Sequence, residues 1–181
     1  MGKLPGDYIA GFVDGEGCFA LKFRRDIRRE RKGSPEYFYW DIGFIISLRS
    51  DDREILEKIK ETLQCGNVIV NRRGMAQYSV SKLDDLALKV VPFFEKYQLR
   101  AKKQHDFILW KESLVLLEKN RGKKTGLSTT ENSRGKRSKE WNSSDLQRLI
   151  HIHEEMGRYK SLRGSEWKWA SRMTAKQSDR K

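Results

Sequence analysis

The sequence predicts an α+β fold in which one four-stranded antiparallel sheet carries helices on one face and leaves a basic, polar face open. Three observations predict it. Two pairs of stretches alternate apolar and polar residues as half-buried strands do, turn residues join each pair into a hairpin, and a stretch with helical periodicity follows each hairpin. A sheet covered on one face presents every second side chain of its open face to a partner.

Local patterns place the elements in chain order. Asp51 with Glu54 resembles a capping box, and Ser81 is expected to cap the next helix. Gly66 is expected to stop the first of these helices and Pro92 to disturb the second. The expected elements are a helix at 4–14, strands at 18–27 and 37–48, a helix at 51–63, strands at 67–71 and 75–81, and helices at 83–91, 102–119 and 144–156.

The chain changes character after the helix expected at 102–119. Residues 1–119 are expected to form the core domain. Residues 120–140 are basic and poor in apolar side chains, which predicts a loop or linker. Residues 141–181 are expected to form a C-terminal helix and a basic tail.

The chain of 181 residues is strongly basic, with 38 Lys and Arg against 25 Asp and Glu and a formal charge of +13. Such an excess suits a polyanion, because Lys and Arg that neutralise phosphates release counterions. A ribosomal RNA binder and a basic protein tuned for solubility are the alternatives on charge alone. Apolar runs are too short for a membrane span or signal peptide, and Cys18 and Cys65 are too few for a disulfide scaffold or zinc site. We therefore expect an intracellular protein with no membrane partner and no small-molecule substrate.

The stretch from Ile9 to Gly17 reads IAGFVDGEG and is the most informative segment. Gly11 and Gly15 are four apart, a spacing of small residues that lets two helices approach backbone to backbone. Glu16 follows at the expected helix end, where free carbonyl oxygens carry the negative end of the helix dipole. A carboxylate beside carbonyl oxygens suits Mg²⁺. A short amphipathic helix with a glycine stop and no chemistry is the alternative.

This motif resembles the signature of the LAGLIDADG homing endonucleases, with Ile9 for the first leucine, Phe12 for the second and Glu16 for the last acid. The resemblance covers about residues 4–119, and residues 120–181 match only loosely. It implies the family's αββαββα fold with a saddle-shaped sheet. It also implies an intron-encoded enzyme that cuts both strands of DNA at a specific site by metal-dependent hydrolysis and leaves 3′ overhangs.

The resemblance assigns roles to the motif residues. Glu16 is expected to bind catalytic Mg²⁺, with the carbonyl oxygen of Gly15 as a second ligand and with Mn²⁺ or Ca²⁺ able to substitute in binding. The sequence holds one such motif, which in the family implies a homodimer on a long, roughly palindromic target. The expected dimer interface comprises Ile9, Gly11, Phe12 and Gly15.

Two further positions follow from the resemblance. The family uses a basic residue near the start of the long late helix to stabilise the transition state or orient water, and Lys102 is the first candidate here, with Lys103 next. A lysine on a solvated helix start is the alternative. Some members hold a water with a polar residue, often Gln, after the second strand. That position corresponds to Leu48, for which Arg49, Asp52 or Arg53 would have to substitute.

In the family the open sheet face lies along the major groove of DNA. Arg suits guanine, Asn and Gln suit adenine, and Asp accepts from cytosine, although each side chain has a phosphate contact or a solvated surface as its alternative. The candidate DNA-binding residues are Lys22, Arg24, Arg28, Arg29, Tyr37, Tyr39, Asp41, Ile69, Asn71, Arg72, Arg73, Gln77, Ser79, Lys123 and Arg137.

Two other functions remain open at the level of sequence. One is an RNA maturase that assists intron splicing, against which the intact Glu16 argues. The other is a DNA-binding regulator that does not cut, which Leu48 leaves open. His151 and His153 face different ways on a helix and predict no metal site. A cutting enzyme would act in the compartment that holds its target, either a bacterial or archaeal cytoplasm or an organelle.

Overall fold

The computed structural model of the chain describes residues 3–30, 32, 36–123 and 141–158. The α+β class and the predicted order of elements are confirmed. None of the helices in the described ranges combines the length and apolar character that a bilayer crossing requires. The elements are α1 (Gly6–Glu16), β1 (Gly17–Ile27), β2 (Glu36–Arg49), a 3-10 turn (Ser50–Asp52), α2 (Arg53–Leu63), β3 (Asn67–Val70), β4 (Met75–Val80), α3 (Leu83–Asp85), a π-helical turn (Leu86–Val90), α4 (Val91–Lys96), α5 (Lys102–Lys119) and α6 (Ser143–Gly157).

The four strands form one sheet in the order β1-β2-β4-β3. β4 runs antiparallel to both of its neighbours, and Gln77 on β4 lies opposite Ser47 on β2 and opposite Ile69 on β3. Residues directly opposite each other in antiparallel strands point to the same face. On the exposed face of this part of the sheet, side chains from β2, β4 and β3 therefore form rows that run across the strands.

The chain divides into two compact units, of which the first comprises Met1–Leu21 and Ile42–Glu118. Phe19 lies in its core, with its ring centroid 5.3 Å from that of Phe44 and 5.2 Å from that of Trp110. Trp110 is completely buried, and its Nε1 donates to the carbonyl oxygen of Gly43 at 3.2 Å. Because a buried indole N–H needs an acceptor, this bond fixes the ring between α5 and β2.

The second unit comprises Lys22–Asp41 and Lys119–Lys181. The Trp40 ring lies 4.9 Å from Phe23 and meets His153 of α6 edge-on at 5.4 Å. Asn142 caps the start of α6, because its side-chain oxygen accepts from the backbone N–H of Ser144 at 3.1 Å. This cap satisfies one of the N–H groups that a helix start leaves free.

Both predicted helix caps are wrong. Asp51 lies in the 3-10 turn and pairs with Arg49 at 2.9 Å, while Glu54 pairs with Lys58 at 2.7 Å. Their carboxylates are therefore engaged with cations and do not cap α2, which begins without a side-chain cap. Ser81 lies one residue before the N-cap position of α3, where no side-chain cap is formed either.

α2 ends at Leu63 as predicted, although Gly66 does not terminate it, and the following helical stretch runs beyond its predicted end at Val91. Gln64 ends α2 in the left-handed region with φ 54°, two residues before Gly66, which the sequence had suggested as the stop. Helical backbone continues past Pro92 to Lys96. The π-helical turn Leu86–Val90 precedes the proline, and its wider winding accommodates a residue that lacks an N–H and crowds the carbonyl one turn earlier.

Candidate active site at the end of the first helix

Glu16 is the last residue of α1 rather than the residue after it, and its side chain is exposed. The chain turns directly into β1 at Gly17, which is buried. A Cβ on Gly17 would lie 2.5 Å from Cγ1 of Val13 and 2.8 Å from its carbonyl oxygen. Only glycine fits this turn, so the helix ends where the carboxylate of Glu16 reaches solvent beside the last carbonyl groups.

Asp14 connects the end of α1 to the start of α5. Its carboxylate accepts hydrogen bonds from the backbone N–H of Arg100 at 2.8 Å and of Ala101 at 3.3 Å. These residues lie immediately before α5, which begins at Lys102. Asp14 therefore has a structural role, because it satisfies N–H groups at a helix start.

Lys103 is the lysine that this junction brings to the motif. Its Nζ donates to the carbonyl oxygens of Asp14 and Gly15, each at 3.2 Å. The last turn of α1 contains no basic residue of its own, so Lys103 supplies the positive charge that the negative end of the helix favours. Lys102, the first candidate from sequence, is exposed at the first position of α5.

The same atoms test whether a divalent cation fits. Glu16 offers an exposed carboxylate, and the residue before it offers the carbonyl oxygen of Gly15, which accepts a hydrogen bond from Nζ of Lys103 at 3.2 Å. This donor set is made of hard oxygens and fits Mg²⁺, which uses few protein ligands. In the described ranges, no three His, Cys, Asp or Glu side chains gather where they could share a metal.

Glu16 borders an open depression with a volume of about 540 Å³. Leu48 lies in its wall, so this wall is apolar at the position where some family members carry a polar residue. Arg49 and Asp52, the candidate substitutes, line the same depression. Arg53 instead pairs with Glu57 at 2.8 Å. The lining residues are Tyr8, Phe12, Glu16, Ser47, Leu48, Arg49, Asp52, Ile55 and Met75.

The outer face of α1 is open in the single chain. A Cβ added to Gly11 or to Gly15 would meet no atom within 4 Å. The ring of Tyr8, half exposed, stacks on that of Phe12 with centroids 6.3 Å apart, which extends this face with apolar surface. Ile9 was predicted to lie in the dimer interface, but it is completely buried in the core of its own unit.

Most of the candidate DNA-binding residues of the first unit lie on its exposed surface. Ile69 and Gln77 are exposed on the sheet, Asn71, Arg72 and Arg73 are exposed in the turn between β3 and β4, and Ser79 is half-buried. The Asn71 side-chain oxygen accepts from the backbone N–H groups of Arg73 and Met75 at 2.9 and 3.1 Å. This local bonding orders the turn that carries the two arginines.

In the second unit, three candidate residues contact one another. Arg24 donates to Asp41 at 2.9 Å, and its guanidinium lies 5.6 Å from the centroid of the Tyr39 ring. The hydrogen bond with Asp41 raises the pKa of Arg24 above its usual value. These contacts orient Arg24, and both charged side chains stay substantially exposed.

The remaining candidates vary in their surroundings. Arg28 pairs with Asp26 at 2.9 Å, and Lys123 donates to Asn120 at 3.0 Å. Arg29 and Lys22 are exposed, and Tyr37 is half-buried. Arg137 lies outside the described residues.

Comparison with known proteins places this arrangement in a family. The model of the LAGLIDADG endonuclease family matches residues 9–114, from the motif helix to α5. The chain belongs to this family, whose members are DNA endonucleases. The match contains Glu16, Asp14 and Lys103, the residues that the junction of α1 and α5 brings together.

Curated relatives include a probable intron-encoded endonuclease 2 of Neurospora crassa, 25% identical over 118 residues, which are 64% of this chain and 24% of that protein. A probable intron-encoded DNA endonuclease 1 of Mycosarcoma maydis is 31% identical over 101 residues, 56% of this chain and 34% of that protein. The chain thus spans only 24% and 34% of the length of these two relatives.

Solved structures agree on the fold. The crystal structure of the homing endonuclease I-TnaI superposes with a TM-score of 0.67 at 24% identity and covers 97% of this chain and 99% of that chain. The structure of I-SmaMI bound to uncleaved DNA target in the presence of calcium ions superposes with a TM-score of 0.69 at 20% identity, covering 93% of this chain and 49% of that chain.

Proposed function

We propose that the protein is a site-specific endonuclease that cuts both strands of DNA by metal-dependent hydrolysis and acts as a homodimer. The observation that carries the proposal is the exposed Glu16 at the end of α1, with Lys103 on the adjacent carbonyl oxygens. Membership of the endonuclease family supports the reaction class.

The homodimer is proposed from the outer face of α1. Gly11 and Gly15 leave open space that a second helix can enter closely, and a twofold axis there would place two copies of Glu16 side by side. The match with I-SmaMI supports this pairing, because it covers 93% of this chain but only 49% of that longer chain, which leaves room there for a second such fold. A twofold dimer would read a long, roughly palindromic target, since half-sites mirror the symmetry of the protein.

Glu16 and the carbonyl oxygen of Gly15 would hold the metal, for which Mg²⁺ is the proposed ion and Mn²⁺ or Ca²⁺ substitutes in binding. A bound divalent ion supplies polarisation of a phosphate oxygen and activation of a water. Lys103 is proposed to place positive charge near the phosphate that is cut, where negative charge increases in the transition state. Lys102 is the second candidate for this role.

The names of the curated relatives support the proposal that the chain is intron-encoded and promotes the spread of its intron by cutting DNA. Cuts at staggered phosphates across a minor groove would leave 3′ overhangs. Such an enzyme acts in the compartment that contains its target DNA.

Two alternatives are kept because specific observations favour them. An RNA maturase of the same fold would use the basic surface, since the chain carries a formal charge of +13. A DNA-binding regulator that does not cut would be consistent with Leu48, an apolar residue in the wall of the depression beside Glu16.

The test is cleavage of a randomised duplex library by the purified chain with Mg²⁺, followed by sequencing of the cut ends. We expect enrichment of symmetric sites with 3′ overhangs and loss of cutting with Glu16→Gln. Glu61→Gln, on the exposed surface of α2, is the control and should cut like the wild type. Binding of DNA without scission under all metals would support the regulator, and binding only to structured RNA would support the maturase.

A further inference from the structure

Three exposed side chains form a row across the sheet of the first unit. Gln77 on β4 is the direct partner of Ser47 on β2 and of Ile69 on β3, so all three point to the same face. We call Ser47, Gln77 and Ile69 the Gln77 row. Side chains directly opposite each other on neighbouring strands are roughly 5 Å apart, so a flat partner can contact two of them at once.

The amide of Gln77 is oriented by its neighbour. Nε2 of Gln77 donates to Oγ of Ser47 at 3.1 Å. An amide nitrogen carries two N–H groups, so one remains free to donate while the amide oxygen accepts. The major-groove edge of adenine offers an acceptor at N7 and a donor at N6, which match this pair, whereas guanine offers two acceptors. The row therefore favours adenine over guanine.

Ile69 supplies an apolar contact beside Gln77. It is 63% exposed, an apolar side chain that would gain free energy from burial against a partner. On the major-groove edge of a base pair the one apolar group is the C5-methyl of thymine, which lies beside adenine in the same pair. When strands run along the groove, a row that crosses the strands runs along a base pair. Gln77 and Ile69 then meet adenine and the methyl of its thymine.

We infer that the Gln77 row reads one A·T base pair in the major groove, with Gln77 on adenine, Ser47 orienting the amide and Ile69 on the thymine methyl. The inference rests on the proposed function, because it requires that this face lie on duplex DNA. Charge supports that partner: Arg72 and Arg73 are exposed in the adjoining turn, and the chain carries +13. A homodimer would read this pair once in each half-site.

The experiment measures equilibrium binding of the full chain to sites selected from a random duplex pool. We expect an A·T preference at a symmetric pair of positions, which Gln77→Ala weakens by about 5- to 150-fold, the usual value of a bidentate base contact. Ser47→Ala should weaken it partly. Replacing the thymine at this position by deoxyuridine removes only the methyl and should cost the wild type about fourfold in affinity.

The decisive comparison is between variants. Ile69→Ala should bind thymine and deoxyuridine sites equally, whereas Ile108→Ala, an exposed apolar residue on α5, should keep the wild-type difference. If Ile69→Ala retains the full methyl dependence, or if no A·T position responds to Gln77→Ala, the inference is overturned. Cleavage of the same sites is followed in parallel. Cutting without this base dependence leaves the endonuclease proposal intact, and base dependence without cutting leaves the Gln77 row intact.

Discussion

The carboxylate of Asp14 accepts a hydrogen bond from the backbone N–H of Arg100 at 2.8 Å, across 86 positions of the chain. This bond and the one from Ala101 hold the end of the motif helix against the start of α5. The same junction carries Lys103 to the carbonyl oxygens beside Glu16. Asp14, which is partly buried, thus holds the helix start that carries Lys103 to the carbonyl oxygen beside the exposed Glu16.

Asp14→Ala should lower the free energy of unfolding by about 1–2 kcal/mol, the usual effect of removing a side chain that caps a helix start. Urea unfolding followed by circular dichroism measures it. Glu61→Gln on the exposed surface of α2 is the control and should change stability by less than about 0.5 kcal/mol. Equal stability of Asp14→Ala and the wild type would show that the capping bonds are not formed in solution.

Lys103→Met should reduce the rate of DNA cleavage by about a hundredfold or more, because a positioned charge near the reacting phosphate is removed. Lys102→Met is the matched control one residue earlier and should have a smaller effect, since the contacts with Asp14 and Gly15 are made by Lys103. Single-turnover cleavage of a selected site measures both. A larger loss with Lys102→Met would reverse the assignment.

Gly11→Leu should leave the fold of the single chain intact and dissociate the dimer. A Cβ at Gly11 meets nothing within 4 Å in its own chain, so any steric conflict must come from a partner helix. Sedimentation equilibrium measures the association state, and circular dichroism checks the fold. Glu61→Leu, which adds the same side chain to the exposed surface of α2, should not change association. Persistent dimers of Gly11→Leu would rule out this interface.

Gly66→Ala should destabilise the protein by about 3 kcal/mol, combining a left-handed backbone with overpacking. Gly66 has φ +76°, and an added Cβ would lie 2.7 Å from the carbonyl oxygen of Ser79. Gly74→Ala is the matched comparison, because φ is +73° there but the nearest atom, Oγ of Ser50, is 3.8 Å away. It should cost about 1–2 kcal/mol, the left-handed cost alone. Equal losses in chemical denaturation would show that space around Gly66 plays no part.

Acid should weaken the second unit through Asp145. Hydrogen bonds from Asn120 and Lys119 lower the pKa of this carboxyl below its usual value. Its contribution to stability is therefore complete above the unfolded-state pKa, near pH 4, and is lost as pH falls through the lower native pKa. Urea unfolding of Asp145→Asn should depend less on pH between about pH 2 and 5 than that of the wild type. An unchanged pH dependence would contradict this role.

The inward residues of the strands and the whole of α5 could be predicted because they follow from local periodicity. Phe38, Trp40 and Ile42 alternate as a half-buried strand requires, and all are buried. α5 begins and ends where its apolar spacing predicted, at Lys102 and Lys119. The caps at Asp51 and Ser81 could not be predicted in this way, because a polar side chain has several partners within reach and the folded chain selects among them.

The sequence by itself determined the order of helices and strands and the identity of the motif, since both depend on neighbouring residues along the chain. Only the tertiary structure decided that Ile9 is buried in its own unit, that Lys103 contacts Gly15, and that Gln77 faces Ser47 and Ile69. Each of these depends on strand register or on helix packing between distant segments. A shift of one residue would send each of these side chains in another direction, and no local pattern specifies that alignment.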